Sequence, residues 1–269
     1  MIPRIVIEDI VRNQPFVSVI IPTKNNFDLV KQNLESWKRN VTYQEYQILI
    51  VDTGSYPSII QKYESILTPQ IRLIRYDYYN FGRINNDVVL NHLDERTELL
   101  LFCNDDIVLM NDALTRMVSI YNNRTTSVGT IGCRLHYPNE KIQHNGIFVT
   151  RDGKLGHMDY MKSNGYRMDT NYNAIGNTGA FMLTSLELFN KIGGFNPKYE
   201  ECFEDVEYNL ECLLKGKSNI TTSEAVCIHY ESVSRKKDLN ANSKMNSDLV
   251  KVLLPYLSKN KTRLKRYLL

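Results

Sequence analysis

Neither sign of charge dominates this chain of 269 residues, in which 33 Lys and Arg stand against 30 Asp and Glu for a formal net charge of +3. With no global basic field there is no case for nucleic acid, and any anion must be bound by a local arrangement. No apolar run approaches the roughly 18 residues of a membrane span, and Met1-Ile2-Pro3-Arg4 lacks the apolar stretch of a signal peptide. The 5 cysteines never fall in C-x-x-C spacing, so they read as reduced structural thiols and a cytoplasmic protein is the expectation. Three catalytic signatures are also missing: the G-x-x-x-x-G-K-[ST] phosphate loop, a G-x-G-x-x-G after the first strand, and the G-x-S-x-G nucleophile elbow. ATPase, dehydrogenase and serine hydrolase chemistry fall away with them.

What the chain does have is a series of short apolar runs that stop at polar residues. Val17-Ser18-Val19-Ile20-Ile21, Gln47-Ile48-Leu49-Ile50-Val51, Ile71-Arg72-Leu73-Ile74-Arg75 and Leu99-Leu100-Leu101-Phe102-Cys103 read as buried strands. Between them, Val30, Leu34 and Trp37 recur at helical spacing within 28–39, and a further helix fits 84–93. Leu114, Met117, Val118 and Tyr121 mark another helix after the fourth strand. Such alternation argues a parallel sheet with right-handed crossovers. Beyond Val128 glycines punctuate shorter pieces, which fits loops and an antiparallel element. Val206, Leu210, Leu213 and Leu214 then predict a helix that Gly216 stops, with Glu204, Asp205 and Glu207 in its first turn.

The most informative stop is Asn104-Asp105-Asp106. Two adjacent carboxylates at a strand end repel one another unless a cation or hydrogen bonds hold them, and ligands of open α/β sheets gather at that edge. Hard oxygen ligands suit Mg²⁺ or Mn²⁺, which makes Asp106 the first candidate ligand; otherwise the pair simply begins a turn before the helix that Asp112 caps. His229, at the end of Ala225-Val226-Cys227-Ile228, is the candidate second ligand, although a lone histidine at a strand end is more often structural. The other strand ends carry Thr23-Lys24-Asn25, Asp52-Thr53-Gly54-Ser55 and Asn80-Phe81-Gly82-Arg83. A nucleotide lying across them would meet Asp52 at its base or ribose, and Gly82 would let the backbone approach it; each of these residues is also an ordinary turn former. Asp205, flanked by Phe203 and Val206, is the candidate general base, with Glu204 orienting it or the acceptor. Helix capping is the competing explanation for both.

Together these segments resemble family 2 glycosyltransferases of the GT-A fold, from about Val17 to Arg235. The opening Val17 to Asn25 is similar to that family's first strand and nucleotide loop, which includes Thr23 and Asn25, and Ile50 to Ser55 is similar to its second. Tyr79-Asn80-Phe81-Gly82-Arg83-Ile84-Asn85-Asn86 resembles the asparagine-rich segment of the branch that builds bacterial O-antigens, rhamnans and capsules. Asn104-Asp105-Asp106 sits at the D-x-D position with Asn in the first place, and Asp106 matches the metal-binding third. Gly129 to Pro138 and Ile142-Gln143-His144-Asn145-Gly146 look like the strand pair that follows; Gly176-Asn177-Thr178-Gly179-Ala180 and Gly193-Gly194-Phe195 come in the expected order. Phe203-Glu204-Asp205-Val206-Glu207 resembles the E-D motif that carries the base, and His229-Tyr230-Glu231-Ser232 the H-x-x-S that brings a metal-ligating histidine.

The resemblance implies an α/β domain over residues 1–235, with a Rossmann-like, mostly parallel central sheet, helices on both faces and a smaller antiparallel element. It implies inverting transfer of a sugar from a UDP- or dTDP-linked donor to a saccharide or lipid-linked acceptor. In that frame Asp205 and Glu204 are catalytic, and Asp106 and His229 hold Mn²⁺ or Mg²⁺. Thr23, Asn25, Asp52, Gly82, Arg83, Asn86, Asn104 and Asp105 surround the nucleotide sugar, and Asn177, Thr178 and Gly179 line the sugar and acceptor pocket. A sugar nucleotidyltransferase is a second reading, but it would need a glycine-rich loop after the first strand, where Pro22-Thr23-Lys24-Asn25-Asn26 has none. A non-catalytic carbohydrate-binding domain is a third. Residues 236–269 form a basic and apolar tail, expected to be helical, which suits either a surface helix on the cytoplasmic face of a membrane or packing against a protein.

Overall fold

The structure is a computed structural model that describes residues 14–124, 127–163, 171–231 and 240–269. The four apolar runs form β1 (Phe16–Thr23), β2 (Tyr46–Asp52), β3 (Ile71–Arg75) and β4 (Thr97–Cys103), separated by α1 (Phe27–Asn40), α2 (Pro57–Glu64) and α3 (Phe81–Asn91). After β4 come a short β5 (Ile107–Leu109), α4 (Ala113–Arg124) and β6 (Val128–His136). The glycine-punctuated region folds as β7 (Ile142–His144), β8 (Ile147–Val149), β9 (Leu155–His157), β10 (Asn171–Ala174) and β11 (Phe181–Ser185), followed by α5 (Leu186–Ile192). The remainder is α6 (Glu204–Leu214), β12 (Ser218–His229), α7 (Ala241–Asp248), a π-helical turn Leu249–Leu253 and α8 (Leu254–Leu264).

One large sheet has the order β10-β12-β6-β11-β4-β1-β2-β3. Neighbours β3, β2, β1 and β4 are parallel, as are β6 and β12, and the antiparallel β11 joins the two halves by pairing with β4 on one side and β6 on the other. Hairpin β8-β9 forms a separate small antiparallel sheet. This is the mostly parallel α/β arrangement with an antiparallel element that the sequence predicts.

Strand alternation divides the core between the two faces. Val17, Val19 and Ile21 join Val30 and Trp37 of α1, Tyr63 of α2 and Met117 of α4. Ile20 turns the other way, to Ile84 and Val88 of α3, Phe189 of α5 and Tyr208 of α6. A third cluster decides where the tail goes. Leu253, Leu257, Leu264 and Leu268 pack on Val206, Leu210 and Leu213 of α6 and on Ile147 and Val149 of β8. The apolar stripe of the tail is thus spent inside the protein, leaving Lys259, Lys261, Arg263, Lys265 and Arg266 exposed. Among the described residues no helix is long and apolar enough to cross a membrane. Ser232 and the expected boundary at residue 235 lie outside the described residues.

Candidate active site

The carboxyl ends of β1, β2 and β4 open onto a cleft of about 1440 Å³, whose far wall comes from hairpin β8-β9, the 178–180 loop, the start of α6 and α7. It exceeds the roughly 300–1,000 Å³ of a single small-molecule pocket, so there is room for two reactants side by side.

Asp106 and His229 meet there through a pairing of strands. The three residues of β5 run antiparallel to the end of β12, with His229 opposite Ile107, and the Tyr230 N–H donates to the Asp106 carbonyl at 3.1 Å. Asp106 Oδ1 and His229 Nε2 come to lie 3.1 Å apart, both side chains almost wholly buried. The other ring nitrogen is already used: His229 Nδ1–H donates to Gln143 Oε1 at 2.7 Å, because an amide oxygen can only accept. Gln143 is oriented in turn, its Nε2 donating at 3.0 Å to Glu231 Oε2, which also takes the Tyr137 hydroxyl at 2.5 Å. Burial first, and this bond second, push the Tyr137 phenol above its ordinary range.

With Nδ1 engaged, His229 Nε2 and Asp106 Oδ1 face one another, and the two can hold either a proton on Nε2 or a metal ion between them. The donor set fits a divalent ion: a carboxylate oxygen, an imidazole nitrogen with its tautomer fixed by an outer partner, and a spacing close to the ~3.0 Å between adjacent ligands of an octahedral ion with bonds of about 2.1 Å. Among the described residues no cluster of three His, Cys, Asp or Glu surrounds this point, so such an ion would draw its remaining ligands from water, a bound anion or neutral oxygens. Mg²⁺-type sites are commonly completed by substrate phosphates in this way. Asp105 does not share the position. Its Oδ2 accepts from Thr23 Oγ1 at 2.7 Å and Asn26 Nδ2 at 3.0 Å, and burial raises its carboxyl to about 6 despite those two bonds. Asn104 Nδ2 reaches His229 Nε2 at 3.3 Å.

Across the cleft, Phe203 takes a left-handed φ of 82°, a conformation that costs a non-glycine residue roughly 1–2 kcal/mol. It turns the chain into α6 so that Glu204 and Asp205 fall at the helix start and line the cleft. Asp205 Oδ1 accepts the N–H of Val206 at 2.7 Å, and Oδ2 that of Gly179 at 2.8 Å. Capping and presentation to the cleft are thus the same arrangement, a carboxylate anchored by two backbone donors on one side and open on the other.

Of the residues expected at the ligand, Thr23, Asn25, Asn104, Asp105, Thr178 and Gly179 line the cleft together with Asp106, His229, Glu204 and Asp205. Five others do not. Asp52 is buried, its carboxylate accepting from the N–H groups of Gly54 at 3.3 Å and Ser55 at 3.1 Å, so it shapes the turn while neighbouring Thr53 faces the cleft. Gly82 admits protein backbone where a ligand was expected: a Cβ there would lie 3.2 Å from the Asn196 carbonyl and 3.3 Å from Phe195 Cβ. Arg83 is exposed and stacks over Tyr78, its charge centre 5.2 Å from the ring. Asn86 grips the Phe195 backbone from both sides, donating to its carbonyl at 2.8 Å and accepting its N–H at 2.9 Å. Asn177 is fully buried, bonded to Thr130, Thr221 and the Ile220 carbonyl, and a Cβ on Gly132 would fall 2.2 Å from its Oδ1. In these positions an amide, a guanidinium or a glycine satisfies the fold itself.

Several contributors went unread in the sequence: Gln143 behind His229, Asn26 on Asp105, and Asp248 of α7. The last is buried and accepts the N–H groups of Glu200 at 3.0 Å, Glu201 at 2.7 Å and Cys202 at 3.1 Å, so the tail clamps the loop that leads to Asp205. A polar α7 with a single buried acid carries no pattern that would announce this.

Comparison with known proteins agrees with the geometry. The model of the family described as Glycosyl transferase family 2 matches residues 18–193. The chain is 29% identical over 237 residues to the O-antigen biosynthesis protein RfbC of Myxococcus xanthus, covering 85% of this chain and 18% of that one. It is also 29% identical over 234 residues to an uncharacterized protein of Sinorhizobium fredii, covering 82% and 25%. It thus spans no more than about a quarter of these relatives. Among solved structures it is similar to a mannosyltransferase from Pyrobaculum calidifontis in complex with GDP-Man and Mn²⁺, with TM-score 0.59, 17% identity, and 82% and 59% of the two chains covered. It is likewise similar to GalNAc-T7 with UDP, GalNAc and Mn²⁺, with TM-score 0.66, 12% identity, and 81% and 44% covered. These likenesses place the fold among GT-A glycosyltransferases, and the chain belongs to glycosyl transferase family 2.

Proposed function

We propose that this chain transfers a sugar from a nucleoside diphosphate donor to a hydroxyl of a saccharide acceptor, with inversion at the anomeric carbon. The observation that carries the reading is the joint placement of the Asp106–His229 pair and the Asp205 carboxylate on one cleft, each held by its own backbone and side-chain partners. Thr23, Asn25 and Asn104 lie on the donor side of that cleft with Asp105. Asp106 and His229 would hold a divalent ion, Mn²⁺ or Mg²⁺, whose charge would offset that of the diphosphate leaving group.

Asp205 is the general base. Its open face takes the proton of the acceptor hydroxyl while that oxygen attacks the anomeric carbon from the side opposite the diphosphate, so one displacement inverts the centre. Gly179 and Val206 keep the carboxylate from rotating away, since both of its oxygens are already engaged. Glu204, buried beside it and facing the same cleft, orients the acceptor. O-antigen synthesis, named for the Myxococcus relative, makes a surface polysaccharide or lipid-linked glycan the acceptor class to try first.

Stereochemistry tests the reading. Incubation with α-linked UDP-, GDP- and dTDP-sugars, Mn²⁺ and a panel of methyl glycosides should give a β-linked product by the coupling constant of its anomeric proton. An α-linked product would sink the single-displacement mechanism.

A further inference from the structure

His144 ends β7 and His157 ends β9, and their Nδ1 atoms lie 2.7 Å apart on the far wall of the cleft. Their protons can be placed from the surrounding donors. His144 Nε2 is approached by the N–H of Gly146 at 3.3 Å and that of Thr178 at 3.5 Å. A nitrogen facing two N–H groups must be the lone-pair nitrogen, so the proton of His144 sits on Nδ1. That Nδ1–H donates to Nδ1 of His157, which is therefore bare, and the proton of His157 sits on Nε2. A second proton on either ring would place two N–H groups, or three, against one another. Burial acts in the same direction and lowers both imidazoles, which outweighs the attraction of Asp205 and Glu231 for a charge on His157.

The pair is tied to the base. Thr178 N–H points to His144 while the next N–H along the chain, that of Gly179, points to Asp205 Oδ2. One dipeptide thus fixes the imidazole pair and the carboxylate relative to one another. Around His157 the wall is apolar and aromatic: Phe148, Leu155 and Tyr160 line the cleft, and a Cβ on Gly156 would lie 2.9 Å from Phe148 Cζ, so only glycine lets that ring lie close against the strand. Neutral donors among aromatic and apolar surfaces are the chemistry that recognises a sugar ring, with few polar groups fixing its orientation.

We propose that His157, held by His144, is an acceptor-binding residue whose neutral Nε2–H donates to an acceptor saccharide oxygen next to the hydroxyl that Asp205 deprotonates. The proposal rests on the transferase reading above. A neutral donor suits the position, since a cation there would pair with the Asp205 carboxylate and hold it from the proton it must take.

Two measurements test it on the full chain. In protein labelled with ¹⁵N-histidine, long-range proton–nitrogen correlations at pH 7 should show His144 as the Nδ1–H tautomer and His157 as the Nε2–H tautomer; the reverse assignment, or a charged His157, overturns the proposal without reference to any substrate. In the second, Mn²⁺-dependent hydrolysis of nucleotide sugars is compared with transfer to methyl glycosides. The ratio of transfer to hydrolysis should fall roughly tenfold to hundredfold in His157→Phe, with the KM for the glycoside rising, and should recover in part in His157→Gln, which keeps a donor. An unchanged ratio in a variant that melts like the parent overturns the proposal. Wild-type protein that neither turns over nor binds any nucleotide sugar counts against the transferase reading itself, and the tautomer measurement then still decides whether the pair is arranged as described.

Discussion

Asp106 Oδ1 and His229 Nε2 stand 3.1 Å apart because the three-residue strand β5 pairs with the end of β12, bringing together side chains more than a hundred positions apart in the chain. Removing either should abolish metal-dependent nucleotide binding. Calorimetry with UDP or GDP and Mn²⁺ should show His229→Ala and Asp106→Ala losing binding at least tenfold, to the level of wild type in EDTA. Retained Mn²⁺ dependence in both variants would show that the ion is held elsewhere.

Gln143 should matter without touching the ion. Its Oε1 fixes the His229 ring, and outer partners of this kind are worth about 10–100-fold in metal affinity. Gln143→Leu should weaken Mn²⁺ binding by that factor in a Mn²⁺ titration, and an unchanged affinity would show that the His229 ring is held without this partner.

The clamp on the loop before Asp205 makes a stability prediction. Asp248→Ala leaves the N–H groups of residues 200–202 without their acceptor, a loss of about 2–3 kcal/mol. Urea unfolding should show a lower midpoint. Truncation after residue 239 should be worse, since it uncovers Val206, Leu210 and Leu213 and discards four buried leucines worth roughly 1.5–3 kcal/mol each as an upper bound. A truncated chain that melts like the parent would overturn the packing described for the tail.

Stability should also depend on pH. His136, His144 and His157 are all lowered from 6.5, burial first in each case. On acidification the unfolded chain takes up these protons before the folded one, so their contribution is whole above about pH 6.5 and is lost as pH falls toward the folded values. Asp105 works the other way: raised from 3.8 to about 6, it is protonated in the folded chain first and adds stability between those values. The melting temperature of metal-free protein should therefore fall from pH 7 to pH 5 by roughly several degrees, and more steeply in Asp105→Asn. A rise over that range would contradict the burial of the three rings.

The frame of the fold was legible because β1 to β4 are short apolar runs that end in polar residues, and buried parallel strands have no other way to look. The Asp106 position was legible for the same reason, as adjacent acids at a strand end ask for a cation. His229 was a weaker candidate, a lone histidine at the end of Ala225–Ile228 that the resemblance strengthened, because its meeting with Asp106 rests on β5, too short to show a pattern. Asn86, Asn177 and Asp52 illustrate the converse: polar residues after strands look the same whether they face a ligand or satisfy buried backbone. The tail's leucines showed that some surface would cover them, and only the apolar stripe of α6 and β8 on which they pack settles which. His144 and His157 were invisible as a pair, since their contact depends on how two short hairpin strands lie.

Turnover decides whether Asp106, His229 and Asp205 form one catalytic centre. Purified full chain is incubated with a panel of UDP-, GDP- and dTDP-sugars in Mn²⁺ and in EDTA, with release of the nucleoside diphosphate followed, alongside Asp205→Asn. At least one donor should be turned over in Mn²⁺ and not in EDTA, at a rate reduced about 10²–10⁴-fold in Asp205→Asn while nucleotide binding persists. Turnover that survives EDTA, or Asp205→Asn as active as wild type, would contradict such a centre.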